Sequence, residues 1–394
     1  MATNTQSFSI LLASRNQSII EATRATLDEA ENLNLVEREL TPGNLFSVIE
    51  EIQPDVVLLD FNFQQTIFNL IDKIVTEYPK SALVAVISNR EEVDLDLVIL
   101  SGARAFVQYP YQPGKLVVTI RRVVELRERN HIGAVGVADD KSEIKSKNTF
   151  IVFSPKGGVG TTTIAINLAI SLQKQLDEDV LLIDGKHLLG HVALYMNLRT
   201  ANSITDLIAH AGMLDQRLIR QVIIEHKSGV HVLPSPNLIG AAQGIKPESL
   251  FKVIQSLQKV YPNIIIDGGN HIDENTVTYM DSSSKILIVL NPDLASMRDV
   301  RQFMEIAKSL SYPEEEILLI LNMAGRRADV KLREIEGILK MEIFGKIPAD
   351  DELALSSLNE GVPILLKKPH HAISKAYKQI AKDLVNLMQD SRVE

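Results

Sequence analysis

The chain has 394 residues, 45% of them hydrophobic, which is enough to build cores in two domains of ordinary size and excludes disorder as its default state. Its 50 acidic and 41 basic residues leave a net charge of −9, which opposes general adhesion to nucleic acid or to an anionic membrane. The absence of cysteine excludes disulfides and thiolate metal sites.

In chain order, Phe8 to Ala13, Val56 to Asp60, Leu83 to Ile87 and Ala105 to Val107 read as buried strands, with a weaker strand near Val36 and helical segments between them. This alternation over residues 1–130 predicts a compact parallel sheet with helices on both faces. Pro54-Asp55-Val56-Val57-Leu58-Leu59-Asp60 resembles the third strand of a response-regulator receiver domain, which ends at the phosphoacceptor aspartate. Ser101 to Phe106 and then Tyr109-Pro110 resemble that family's approach to its last helix. The resemblance implies a flavodoxin-like fold.

The chemistry of a receiver is mostly replaced. Where that family carries a pair of magnesium-binding acids after its first strand, this chain has Ala13-Ser14, and at the position of its lysine it has Tyr109. Asp60 and a hydroxyl candidate, Ser88, remain. Without the acids little would hold a hard divalent ion, and without the lysine nothing pairs with a phosphorylated aspartate. Asp60 is therefore a minor phosphoacceptor candidate, and the expected role is an atypical receiver serving interaction or dimerisation.

Residues 131–147 change character, with small residues followed by mixed charge in Ala138 to Glu143, and read as a linker. The remaining residues, 148–394, form the second predicted domain. Asn148 to Phe153 is a short apolar strand, Ser154 to Thr163 is rich in glycine, and helical spacing resumes from Thr162 to Gln175. Strand, glycine loop and helix make a phosphate-binding site, because backbone N–H groups and the positive end of the helix converge on one spot. Glycine is required where bulkier residues would block the approach of backbone to ligand.

Lys156-Gly157-Gly158-Val159-Gly160 followed by Thr161, Thr162 and Thr163 resembles the deviant Walker A box of the MinD/ParA family of ATPases. That resemblance implies a P-loop fold with a mostly parallel sheet, ATP with magnesium as ligands, and a sandwich homodimer in which Lys156 acts in trans on the partner's nucleotide. Asn263 to Asp267 reads as the Walker B strand, and the resemblance implies a magnesium set of Thr162, Asp184 and Asp267, partly through water. It further implies adenine contacts from Asn322 and from the segment Ile347-Pro348-Ala349-Asp350, with Pro348 and Asp350 in the loop closing over the base.

Two departures concern hydrolysis. The usual loop lysine, which stabilises charge on the transferred phosphate, is Thr161, and the usual second aspartate after Asp184 is Lys186. A charged lysine donates hydrogen bonds but accepts no proton from an attacking water. Loss of one such stabiliser typically costs roughly a hundred- to a thousandfold in rate. ATP binding with slow or absent hydrolysis is expected; the catalytic residues stay unassigned, with Asp184 and Lys186 as candidates. Lys186 replacing the missing loop charge is the other reading of that residue.

The nine histidines show no metal-binding spacing. The last helix carries Ile373, Ala376, Tyr377, Ile380, Leu384, Leu387 and Met388 on one face, a stripe expected to pack in the core, with membrane or partner contact as the alternative. The apolar runs are of strand length, and the start Met1-Ala2-Thr3-Asn4 lacks the regions of a secretory signal, so a cytoplasmic protein is expected.

A receiver-like domain followed by a deviant Walker domain, with Thr161 in place of the loop lysine and the segment Gly190 to Tyr195, resembles the TadZ/CpaE proteins of tight-adherence type IV pilus systems. The resemblance spans nearly the whole chain. It implies a localisation factor at the cell pole or inner face of the membrane that dimerises with ATP and recruits pilus secretion and assembly proteins. No nucleic-acid partner is expected, and membrane contact only indirectly or weakly. The alternatives are a cycling MinD/ParA-like ATPase, a response regulator with an ATPase-like output domain, and a nucleotide-free scaffold.

Overall fold

The structure is a computed structural model in which the described residues are all except 1–6, 29, 31, 65, 89–92, 94, 112–114, 118, 122, 125–147, 237–244, 311, 326–331 and 391–394. The linker expected at 131–147 lies outside the described residues. The chain divides into two compact units, Met1–Val137 with Ile272–Glu274 and Met304–Pro313, and Ala138–His271 with Asn275–Phe303 and Glu314–Glu394.

In the first unit β1 (Phe8–Ala13), β2 (Leu33–Val36), β3 (Val56–Asp60), β4 (Ala82–Ile87) and β5 (Ala105–Gln108) form one sheet in the order β2-β1-β3-β4-β5. Every pairing is parallel. Strands buried on both faces need apolar residues at consecutive positions, and β3 is Val-Val-Leu-Leu-Asp with all five residues buried. Successive side chains then separate onto opposite faces. Leu11, Val57, Leu59 and Ala85 pack with Ile49, Ile67 and Ile71 in one cluster, while Ile10, Val56, Leu58 and Val84 pack with Ile19, Leu27 and Ile120 in another. The result is three layers, helix on sheet on helix.

The second unit has an eight-stranded sheet, from β6 (Asn148–Phe153), β7 (Val180–Asp184), β8 (Ile224–Glu225), β9 (His231–Leu233), β10 (Asn263–Gly269), β11 (Lys285–Leu290), β12 (Ile317–Ala324) and β13 (Ile343–Pro348). Their order is β13-β12-β11-β6-β10-β7-β9-β8, with β8 antiparallel to β9 and the remaining pairs parallel. The sheet is mostly parallel, as expected.

Helix Thr161–Gln173 follows β6 and is buried nearly all round, its polar Thr161, Thr162, Asn167 and Ser171 included. It packs in one cluster with strand residues such as Val152, Leu182 and Ile265 and with the last helix, Ala372–Asp390. In that helix Ile373, Tyr377, Ile380, Ala381, Leu384 and Met388 are all buried. Ala376 and Leu387 of the expected stripe are half-buried and pack against the same cluster, so the stripe is core, and each fully buried Leu or Ile is worth about 1.5–3 kcal/mol. Burial alone raises the Tyr377 phenol above its ordinary pKa. Among the described residues no helix is long and apolar enough to cross a membrane.

Candidate phosphate-binding site

Parallel α/β sheets bind ligands beyond the carboxyl ends of their strands. Here β6, β7 and β10 are neighbours, and their ends deliver the loop at 154–160, Asp184 and Asp267 to one place. Ser154 is fully buried, and its hydroxyl accepts from the Lys156 N–H at 3.2 Å. Gly158 has φ of +77° and Gly160 of +96°, the left-handed region that turns the chain into the helix. A side chain on Gly160 would also meet Asn322 Nδ2 at 2.7 Å. No side chain caps the helix at Gly160, so the N–H groups of its first turn stay available to an anion.

The residues expected to serve magnesium do converge. The Thr162 hydroxyl donates to Asp267 Oδ2 at 2.6 Å, and Asp267 Oδ1 accepts from the Gly269 N–H at 3.4 Å. Asp184 accepts from the backbone N–H of Val192 at 3.1 Å and of Lys186 at 3.3 Å. The cation they hold is the ammonium of Lys186: Nζ donates to Thr162 Oγ1 at 2.8 Å and lies 3.7 Å from Asp267 Oδ2. The cradle therefore fits a polyphosphate, while the oxygen that would bind a divalent ion is already engaged by Lys186.

Burial dominates the electrostatics of the two acids. Asp184 is pushed up to about 7, by burial first and by the charge of Asp267 second, against its backbone hydrogen bonds and Lys186. Burial also raises Asp267, with Lys186 and the Thr162 hydroxyl pulling the other way.

Lys156 Nζ pairs with Asp293 Oδ1 at 2.7 Å within the chain. Burial pushes the Asp293 carboxyl up, but the hydrogen bond from Lys156 and those from the backbone outweigh it and leave the acid below its ordinary value. Thr161 begins the helix, is 8% exposed and brings no charge. Val159 is buried, and its carbonyl accepts from Asn322 Nδ2 at 2.7 Å. Asn322, expected at adenine, braces the loop. Pro348 ends β13 beside Ala324, and Asp350 caps helix Asp351–Glu360 through the Leu353 N–H at 2.9 Å while facing His371 Nε2 at 3.3 Å.

Four participants escape sequence reasoning. Asp293 is the partner of Lys156, and the signal for it is the turn composition Asn291-Pro292-Asp293 after β11. Asn270 lies against Gly157, so that a Cβ there would be 3.3 Å from its Nδ2. Gly190 has no room for a side chain, since a Cβ would overlap Ser235 Oγ and Asp184 Oδ2. Gly269, at φ of +68°, lies under the stem of Lys186. Nothing in the local sequence marks Asn270 or Gly269, and the segment Gly190 to Tyr195 carries no local sign of why its first residue must be glycine.

In the first unit Asp60 is 2% exposed at the end of β3. Ser14 Oγ donates to its Oδ2 at 2.6 Å and the Asn62 N–H to its Oδ1 at 3.0 Å. Ser88 Oγ is buried nearby in sequence after β4, and Tyr109 packs edge-on to Tyr111 with ring centres 5.5 Å apart. Among the described residues no group of three or more acids, histidines or cysteines is placed to hold a metal ion.

Residues 147–319 match the family model described as an AAA domain. An uncharacterized ATP-binding protein of Methanocaldococcus jannaschii is 26% identical over 245 residues, 62% of this chain and 89% of its own length. The septum site-determining protein MinD of Thermotoga maritima is 26% identical over 242 residues, 60% of this chain and 87% of its own. The crystal structure of a ParA family ATPase from Chlorobium tepidum superposes with a TM-score of 0.57 at 28% identity, covering 60% of this chain and 98% of that one. These similarities support placing the loop, its helix and the acids on the neighbouring strands with the MinD/ParA superfamily of ATP-binding P-loop proteins.

Proposed function

We propose that this chain is an ATP-binding, dimerising localisation and scaffold factor of the TadZ/CpaE type, which hydrolyses ATP slowly or not at all and recruits pilus secretion and assembly proteins. The observation that carries this reading is the site's asymmetry: a complete glycine cradle stands beside an uncharged Thr161 and a cationic Lys186. Binding groups are kept, while the charge that would stabilise transfer and the carboxylate that would orient water are replaced. ATP bound in this way acts as a ligand that selects the dimer, its binding energy appearing as association rather than turnover.

Lys156, side chain 30% exposed, is within reach of solvent and so able to exchange Asp293 for a partner's phosphate. Leu188, Leu189 and Leu194 are 55%, 73% and 64% exposed, an apolar surface after Lys186 suited to a second copy of the chain. The strand order of the first unit is the flavodoxin-like one and supports the atypical receiver reading. With both Asp60 oxygens engaged by Ser14 and Asn62, a docking module is favoured over a phosphorelay domain.

Calorimetric titration with ATP, followed by single-turnover assay of the bound nucleotide, tests the reading. Binding with the triphosphate intact supports it, and brisk hydrolysis overturns it. The similarity to MinD of Thermotoga maritima favours a second reading, a cycling ATPase, which requires hydrolysis stimulated by a partner. For the pilus role, a fluorescent fusion is expected to form polar foci that are lost in Lys156→Ala, together with loss of surface pili on deletion.

A further inference from the structure

We propose that the ammonium of Lys186 is the built-in cation of the phosphate site, so that this protein binds nucleoside polyphosphates without a divalent ion. The inference rests on the reading above that the loop binds nucleotide, and it deepens it.

A threonine hydroxyl has one proton to give and two lone pairs to receive with. Thr162 gives its proton to Asp267 Oδ2 at 2.6 Å and receives from Lys186 Nζ at 2.8 Å. A magnesium ion would need the same oxygen at about 2.0–2.1 Å in octahedral surroundings. The ammonium lies 3.7 Å from Asp267 Oδ2, so it faces the hydroxyl and the carboxylate that would serve the ion. Both ends of the lysine are fixed. Its backbone N–H is held by Asp184 Oδ1 at 3.3 Å, and its stem runs over Gly269, where a Cβ would come within 2.9 Å of Cγ and Cε. A side chain at position 269 would close that corridor.

Charge balance points the same way. Asp184 is 1% exposed and Asp267 0%, and Lys186 is the cation that acts on both. An ammonium has three donors and one is used on Thr162, which leaves donors for a phosphate oxygen. A second cation at the same hydroxyl would meet Lys186 at short range, where like charges repel strongly.

The test is calorimetric titration of the full chain with ATP in EDTA and again in magnesium, for the natural protein and for Lys186→Asp and Lys186→Met. The natural protein is expected to bind with dissociation constants within about threefold of each other in the two buffers. Lys186→Met is expected to weaken at least about tenfold in EDTA, and Lys186→Asp to weaken likewise and recover in magnesium, since a carboxylate invites the ion that an ammonium excludes. Binding by the natural protein in magnesium alone overturns the inference and leaves the nucleotide reading standing. Absence of binding in both buffers overturns both. Circular dichroism melts of the variants confirm folding, and should either variant fail to fold, the comparison on the natural protein decides.

Discussion

Asp184 and Asp267 stand in register at the carboxyl ends of neighbouring parallel strands, both shut away from solvent. With its pKa near 7, Asp184 keeps its proton in the folded chain at pH values where an unfolded chain has lost it. Its contribution to stability is complete below the ordinary carboxylate value and is lost as pH rises through about 7. Melting temperatures across pH 5 to 8 are expected to fall with rising pH, and to fall less steeply in Asp184→Asn. Equal slopes for the two proteins would remove this account.

Hydrolysis is expected to return when both replaced groups are restored. Thr161→Lys with Lys186→Asp supplies the loop charge and the second carboxylate, and its single-turnover rate is expected to exceed that of the natural protein by about a hundredfold or more. A rate unchanged in the double variant would show that the block lies elsewhere.

The pair of Lys156 and Asp293 is partly exposed, at 30% and 41%, and contributes little to folding. Lys156→Ala is expected to change stability by no more than about 0.5 kcal/mol while abolishing the proposed ATP-linked dimerisation in light scattering. A dimer that survives the substitution would assign the interface to other residues.

Gly190→Ala places a methyl group where Ser235 and Asp184 already stand. Overpacking of this kind costs about 1–3 kcal/mol, so the melting temperature is expected to drop by about 2 °C or more. An unaffected melt would mean that the segment shifts freely.

Leu384→Ala tests the last helix. Leu384 is fully buried in the cluster that includes Leu168 and Leu172, so truncation is expected to cost about 2–5 kcal/mol in denaturant melts. Sedimentation with anionic vesicles is expected not to change.

Legibility in the sequence followed the reach of the physics. Strands such as Val56–Asp60 were readable because a strand buried on both faces must be apolar throughout. The glycine loop was readable because its conformation restricts residue type locally. The ends of elements were less so: the phosphate-loop helix runs from Thr161 to Gln173, where helical spacing predicts Thr162 to Gln175. Lys186 could be seen as an exchange of charge, but its seat on Thr162 depends on three strands meeting in space. For the same reason the contact of Asn270 with Gly157, and the approach of Ser235 that forces a glycine at position 190, left no local trace.

The phosphate-loop helix is walled in by the sheet and the last helix, and Asn167 within it accepts the Leu365 N–H at 2.8 Å, tying it to helix Ile364–Lys367. A platform so tethered does not swing to meet its guest. Folding has already settled the ordering that a mobile element would have to undergo on capture, so ordering this helix takes nothing from the free energy of binding.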